Sequence, residues 1–125
     1  MYLGIDLGTS GIKTILLDDN DEIIGQTSSP LEVSRPEPLW SEQDPNDWWE
    51  ATNSAIEELK NAYPEEFKSI KAIGLSGQMH GATLLDNKNK ILRPAILWND
   101  GRSESQCKSI ERAEPDSRSI TGNIA

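Results

Sequence analysis

Residues 2 to 17 read YLGIDLGTSGIKTILL and contain two apolar runs of strand length, separated by the short segment GTSG at residues 8 to 11. Runs rich in Ile and Leu that flank a short connection with glycine at both ends are typical of a β-hairpin. Residues 18 to 21 then have turn composition, and residues 22 to 28 form a third, more polar run. The sequence therefore predicts an opening antiparallel meander of three strands.

The next part of the chain is predicted to be a loop followed by a helix. Residues 30 to 45 contain four prolines and are expected to be extended. Asp44 is a good N-cap, and Pro45 is suited to the first helical position. Apolar residues then recur at three- and four-residue spacing up to Tyr63, where Pro64 is expected to end the helix.

The last third of the chain has strand signals and then a weaker helix signal. Strands are predicted at residues 70 to 76, 82 to 85 and 91 to 97, the last two as a hairpin. A weak helix is predicted from Ser103 to about Ala113, with Cys107 and Ile110 facing inward. This order of elements predicts an α/β fold with a mixed sheet.

Composition restricts the possible classes of protein. At 125 residues the chain has the length of one domain, and its formal charge of -9 argues against nucleic acid and anionic membrane as partners. One cysteine excludes an internal disulfide and favours a reducing cytoplasm. The N-terminus has no signal-type segment, and no apolar run reaches the ~18 residues of a membrane span. The ending after Pro115 leads us to expect a piece of a longer protein, with a naturally short protein as the alternative.

The hairpin has the composition of an anion-binding turn. Its glycines can aim backbone N–H groups at one point, and Thr9 and Ser10 add hydroxyl donors. Asp6 precedes the turn and Lys13 follows it. A carboxylate beside phosphates suggests Mg²⁺, held through water. The alternative is a plain β-hairpin with a solvated aspartate, and the spacing of a Walker A loop is absent.

The second candidate site is the loop GQMHG at residues 77 to 81, at the end of a predicted strand. Open α/β sheets place ligands at the carboxyl ends of their strands, which is where this loop begins. Met79 offers an apolar wall, while Gln78 and His80 offer donors and acceptors for hydroxyl groups. Trp98 ends another strand, and its indole face is suited to the C–H side of a sugar. A turn histidine and a packing tryptophan remain the alternatives.

Several other residues have a structural interpretation. Trp40, Trp48 and Trp49 are expected to pack, and Cys107 to lie in a helix core. The acidic stretch Glu42-Gln43-Asp44 is interpreted as capping, with a metal role left open. Supporting residues for the pocket, or alternatively a polar turn, are Asn99, Asp100 and Arg102.

The stretch IDLGTSGIK at residues 5 to 13 resembles the first phosphate motif of the sugar kinase, actin and chaperone ATPase superfamily. With it, VSRPEPLWSEQDPNDWW, GLSGQMHGATLLD, LRPAILWNDGRS and ITGNIA resemble the FGGY carbohydrate kinases, and most closely those that phosphorylate D-xylulose. The stretches follow the family order over nearly the whole chain. The resemblance implies an α/β, ribonuclease-H-like fold with a mixed sheet and flanking helices. Residues 1–125 would be the N-terminal part of the first kinase domain, without the second, nucleotide-side domain.

The resemblance also implies a reaction, the transfer of phosphate from ATP to D-xylulose with Mg²⁺, which yields D-xylulose 5-phosphate. Asp6 would then be catalytic and hold the metal through water. Met79 and His80 would contact the sugar, and a similar role for Trp98 is implied by the resemblance to sugar kinases more widely. The general base would be a downstream aspartate outside this chain, so that the chain alone is expected to be inactive. The residues implied to bind the phosphates of ATP are Gly8, Thr9, Ser10 and Lys13.

Other functions are compatible with parts of the pattern. A kinase-like regulator that binds a sugar without phosphorylating it would share both turns, and so would an FGGY kinase of a related pentulose. An actin-like or chaperone ATPase would explain the hairpin but neither QMHGATLL nor ILWNDGRS. The sequence leaves the oligomeric state open, with a homodimer of the whole protein as one arrangement.

Overall fold

A computed structural model describes residues 1–123, which form a four-stranded sheet, a two-stranded sheet and four helices. The last two residues of the ITGNIA stretch, 124 and 125, lie outside the described range. The elements are β1 (Tyr2–Leu7), β2 (Gly11–Leu17), β3 (Ile23–Pro30), β4 (Glu42–Gln43), α1 (Pro45–Ala62), α2 (Pro64–Lys68), β5 (Ala72–Gly77), β6 (Ala95–Ile96), α3 (Glu104–Ala113) and α4 (Ser117–Thr121).

The larger sheet has the order β3-β2-β1-β5 and is mixed, as predicted. The first three strands form the expected antiparallel meander, whereas β5 pairs with β1 in parallel, so that Leu7 lies opposite Gly77. Parallel neighbours end at the same edge of a sheet. The turn after β1 and the loop after β5 therefore start side by side, although some 70 residues separate them.

Helix α1 covers one face of this sheet. It begins where predicted, because the Asp44 side chain accepts a hydrogen bond from the backbone N–H of Asn46 at 2.9 Å. Its apolar stripe buries Ala55 and Leu59 against side chains of β1 and β2, including Leu16. Burial of a leucine side chain stabilises by about 2 kcal/mol, so this contact fixes the helix on the sheet.

The opposite face of the sheet has an open depression of about 300 Å³. Asp6 and Lys13 are register partners on β1 and β2, and both line this face. On the same face Gly4 is the register partner of Ile15, and a Cβ at Gly4 would come within 2.8 Å of the Ile15 side chain. Asp6 and Lys13 are therefore presented to solvent rather than to the α1 core.

Pro64 ends α1 as predicted, and it also starts a further short helix, α2, because proline fits a first helical position. Two other predictions about the last third of the chain need correction. The hairpin at residues 82 to 97 is reduced to two isolated bridges, Ala82 with Ile96 and Leu85 with Ile91, since Pro94 has no N–H for a ladder. Residues 95–96 form their two-residue ladder with β4. Helix α3 forms as predicted but has no buried residue: Ile110 is 51% exposed and Cys107 is only partly buried, so the helix core predicted for both was wrong.

The tryptophans behave differently from one another. Trp48 packs half-buried against the core beneath α1, as its place in the helix stripe predicted. Trp40 lies in the proline loop with its ring centroid 3.6 Å from the guanidinium of Arg102, which fixes the loop to the domain. Trp49, in contrast, is 70% exposed and does not pack in the core of the described residues.

Candidate functional site

The turn at residues 8 to 11 is tight and is fixed by backbone hydrogen bonds. The N–H of Gly8 donates to the carbonyl of Gly11 at 3.0 Å, and the N–H of Leu31 donates to the carbonyl of Ser10 at 3.0 Å. A Cβ at Gly11 would lie 2.7 Å from the carbonyl oxygen of Ser29. Glycine is required at position 11 by this close approach of β3.

One side of the turn opens onto a depression of about 400 Å³. Gly8, Ser10 and Gly11 line it together with the charged residues Asp6 and Lys13. A hydroxyl, a cation and glycine backbone are suitable for a phosphate, and an exposed carboxylate is suitable for a cation that keeps its waters. The donor set therefore fits Mg²⁺ next to phosphate, with Asp6 as its acidic neighbour.

The loop after β5 is attached to the end of β1. The N–H of Gln78 donates to the carbonyl of Leu7 at 2.7 Å, which extends the parallel ladder by one residue. His80 has φ +62°, in the left-handed region that few non-glycine residues adopt. Strained backbone of this kind is common where a loop presents a side chain to a ligand.

The loop forms the wall of two adjoining cavities. The first has a volume of about 410 Å³ and is bounded by Met79, His80, Trp48 and Leu97. The second has a volume of about 280 Å³ and lies between Met79, His80 and Trp98. Met79 is 68% and Trp98 is 60% exposed, so both apolar surfaces are available to a ligand. The structure thus brings together the three residues predicted to contact a sugar.

Thr9 connects the two predicted turns. Its hydroxyl donates to Oε1 of Gln78 at 2.9 Å and accepts from Nε1 of Trp98 at 3.0 Å. These contacts use the hydroxyl on the side of the turn away from the depression that Ser10 and Lys13 line. The Thr9 side chain therefore faces the QMH loop, and the backbone N–H is the donor that Thr9 has left for an anion.

A third residue, Gln43, closes this contact into a ring. Its Nε2 donates to the carbonyl of Thr9 at 2.7 Å, and its Oε1 accepts from Nε2 of Gln78 at 3.2 Å. The indole N–H of Trp48 also donates to Oε1 of Gln43, at 2.9 Å. In the sequence Gln43 belongs only to the stretch interpreted as capping, and its local pattern carries no signal of this contact.

A buried cluster of charges lies behind Trp98 and Gln43. Both oxygens of the Asp100 carboxylate bind the Arg102 guanidinium, at 2.8 and 2.7 Å, and the N–H of Ser41 donates to the same carboxylate at 2.6 Å. The hydrogen bonds from Arg102 lower the pKa of Asp100 to about 2. Asp100 and Arg102 therefore hold the segment after Trp98 against the proline loop.

Glu42 belongs to the same cluster. It pairs with Arg102 at 2.8 Å and with Arg93 at 2.6 Å, and its side chain is buried. Two guanidinium groups thus occupy the carboxylate for which a metal role had been left open. Within residues 1–123, no group of three or more His, Cys, Asp and Glu side chains is arranged to hold a metal ion.

The model of the FGGY family of carbohydrate kinases, N-terminal domain, matches residues 1–125. The chain belongs to the FGGY carbohydrate kinases. This membership agrees with the mixed sheet.

Curated relatives of this FGGY chain include the xylulose kinases of Escherichia coli and Klebsiella pneumoniae. The chain is 54% identical to the first and 52% identical to the second over 124 residues, which is 99% of the chain in each case. It spans about a quarter of their length, 25% in each case.

Solved structures give the same result for the fold. A xyloylose kinase from Brucella ovis superposes with a TM-score of 0.94 at 55% identity, over 98% of this chain and 26% of that one. The xylulose kinase from Rhodospirillum rubrum has a TM-score of 0.86 at 33% identity, over 94% of this chain and 24% of that one. The predicted sugar-kinase fold is confirmed. No helix among residues 1–123 has both the length and the apolar character needed to cross a membrane.

Proposed function

We propose that this chain is the N-terminal part of a longer ATP-dependent kinase that converts D-xylulose to D-xylulose 5-phosphate. The high identity to proteins named xylulose kinase supports this substrate, and the quarter of their length that the chain spans supports its being one part of the enzyme. The single cysteine favours a reducing cytoplasm as its location.

The observation that carries the proposal is the double hydrogen bond of Thr9. One hydroxyl joins the phosphate-type turn to Gln78 of the QMH loop and to Trp98. A kinase must hold a phosphate donor and an acceptor hydroxyl in line, within a few ångströms. Two turns that share a hydrogen-bonded residue supply that proximity, whereas separate turns would not.

On the sugar side, Met79, His80 and Trp98 surround the two cavities. In the proposed complex the His80 imidazole exchanges hydrogen bonds with sugar hydroxyls, and Met79 and the Trp98 indole contact the C–H face. The indole N–H is already bonded to Thr9, so Trp98 contributes its ring surface and not a donor.

On the phosphate side, Lys13, the Ser10 hydroxyl and the backbone N–H of Thr9 bind the phosphates in our proposal. Gly8 shapes the turn instead, because its N–H already donates to the carbonyl of Gly11. Mg²⁺, when bound, would neutralise phosphate charge beside Asp6, which is its water-mediated carboxylate neighbour. Asp6 also holds the register position opposite Lys13, so that a cation and an anion are both available beside the turn.

The general base is proposed to lie beyond residue 125, in a part of the enzyme outside this chain. The chain alone should therefore release no ADP in the presence of ATP, Mg²⁺ and D-xylulose, whereas the longer protein should. A coupled ADP assay of both proteins, with other pentuloses and a sugar-free sample, tests this. Turnover by residues 1–125 alone would overturn it. D-xylulose binding without turnover in the longer protein would favour the sugar-binding regulator instead.

A further inference from the structure

The side-chain amide of Gln43 has every hydrogen-bonding position filled. Nε2 donates to the carbonyls of Thr9 at 2.7 Å and Glu32 at 3.1 Å, and Oε1 accepts from Trp48 at 2.9 Å and Gln78 at 3.2 Å. An amide offers two donors and two acceptor positions. Gln43 is only 3% exposed, so water cannot replace these partners.

The partners also fix the direction of the amide. An indole N–H can only donate and a backbone carbonyl can only accept, so Oε1 must face Trp48 while Nε2 faces Thr9 and Glu32. A glutamate at position 43 would turn an oxygen toward two carbonyl oxygens. A methionine would fill the space but would leave buried polar groups without partners.

Gln43 also belongs to a closed ring of three residues. It binds the backbone of Thr9, the Thr9 hydroxyl binds Gln78, and the Gln78 amide binds Gln43. The ring joins the turn at residues 8 to 11 to the loop at 78 to 81 twice, once directly and once through Gln43. Neither segment can shift without breaking a hydrogen bond of the other.

We propose that Gln43 is a positioning residue that makes the phosphate turn and the sugar loop move as one unit, so that binding of the sugar favours binding of the nucleotide. This rests on the proposed function. Gln43 lines none of the cavities at either turn, so it acts through Thr9 and Gln78 and not by contact with a ligand. When a ligand orders one of the two segments, the hydrogen bonds order the other segment as well. The two binding sites are then energetically coupled.

The direct test is the Gln43→Met variant of the longer enzyme. We expect the KM values for both D-xylulose and ATP to rise about fivefold or more. The Kd of a non-hydrolysable ATP analogue is measured without and with D-xylulose. The ratio of the first Kd to the second should be well above one in the wild type and close to one in Gln43→Met. Gln43→Glu should behave in the same way.

Two variants serve as controls for this measurement. Thr14→Val removes the buried hydrogen bond between the Thr14 and Thr27 hydroxyls, 2.6 Å long, on the α1 side of the sheet. It should lower the melting temperature but keep the Kd ratio. Gln26→Met changes an exposed glutamine of β3 and should alter neither. A Gln43→Met enzyme that loses stability but keeps the wild-type ratio, or a wild-type ratio already near one, would overturn the inference.

A second readout does not depend on catalysis. In Gln43→Met, amide hydrogen exchange should quicken in residues 8 to 11 and in residues 78 to 81 together, and remain slow in the middle of α1. If the wild-type protein does not phosphorylate D-xylulose but both segments quicken, the proposed function fails and the mechanical link stands. If only one segment quickens, or neither, the link itself is wrong.

Discussion

The Thr9 hydroxyl donates a 2.9 Å hydrogen bond to Oε1 of Gln78, a residue 69 positions away in the chain. The parallel pairing of β1 with β5 makes this contact possible, because it places the ends of both strands at one edge of the sheet. Two motifs that are separate in the sequence are therefore one hydrogen-bonded structure.

Thr9→Val should weaken the connection between the two turns while keeping the β-branched shape of the side chain. The hydroxyl makes two hydrogen bonds, to Gln78 and from Trp98, so unfolding free energy should fall by about 1–2 kcal/mol. Because the Trp98 ring and the QMH loop lose their anchor, the KM for D-xylulose should rise. Thr9→Ser keeps the hydroxyl and should remain close to the wild type in urea unfolding and kinetics. Equal effects of both variants would contradict this role.

Asp6→Asn should lower kcat more than it weakens xylulose binding, because Asp6 lies beside the phosphate turn and away from the sugar cavities. His80→Ala should have the opposite pattern and raise KM more than it lowers kcat. Steady-state kinetics of the longer enzyme, with varied Mg²⁺, measure both. Asp21→Asn, in the exposed turn after β2, is the control and should leave both parameters unchanged. If Asp6→Asn and His80→Ala altered kcat and KM in equal measure, their separate roles would be refuted.

His80→Gly should be more stable than His80→Ala, although both remove the imidazole. The φ of +62° at this position is strained for a residue with a Cβ and costs alanine about 1 kcal/mol relative to glycine. Denaturant melts of the two variants measure the difference. The KM for D-xylulose should rise equally in both, since the imidazole is absent from both. A less stable glycine variant would show that the loop relaxes to another backbone conformation.

The Asp100 carboxylate should make the protein more stable at neutral than at acid pH. Its pKa lies at about 2 in the folded protein, against 3.8 for an ordinary aspartate, because Arg102 donates hydrogen bonds to it. Because the pKa of Asp100 is lower in the folded than in the unfolded protein, its carboxylate contributes its full stabilisation above pH 3.8. This stabilisation is lost as the pH falls through about 2. The lowered pKa corresponds to roughly 2 kcal/mol.

The measurement is urea unfolding between pH 2 and pH 6. Asp100→Asn should be less stable at pH 6, since Arg102 loses its bidentate partner, and should lose less stability on acidification than the wild type. Asp116→Asn removes an exposed carboxylate with no side-chain capping bond and is the control. If the stability of Asp100→Asn and of the wild type changed with pH in parallel, the Asp100–Arg102 ion pair would be excluded as the source of the pH dependence.

Local patterns in the sequence were enough to predict the meander, helix α1 and the positions of both turns. Alternating and helical periodicities are properties of neighbouring residues, and caps such as Asp44 act within one helical turn. The predicted hairpin at residues 82 to 97 was only partly right, because two isolated bridges remain of it and residues 95–96 also pair with β4. The prediction for Ile110 was wrong, since its apolar character did not lead to burial in this part of the chain.

The amino-acid sequence by itself determined which residues could serve a sugar and a phosphate, because those are chemical properties of His80, Met79, Lys13 and Asp6. Only the tertiary structure decided how they are connected. The direction of the Thr9 hydroxyl, the burial of Gln43 and the pairing of Glu42 with two arginines all depend on contacts between distant segments. Such contacts leave no periodic trace, because a polar residue before a helix has the same local pattern whether it meets solvent or a buried turn.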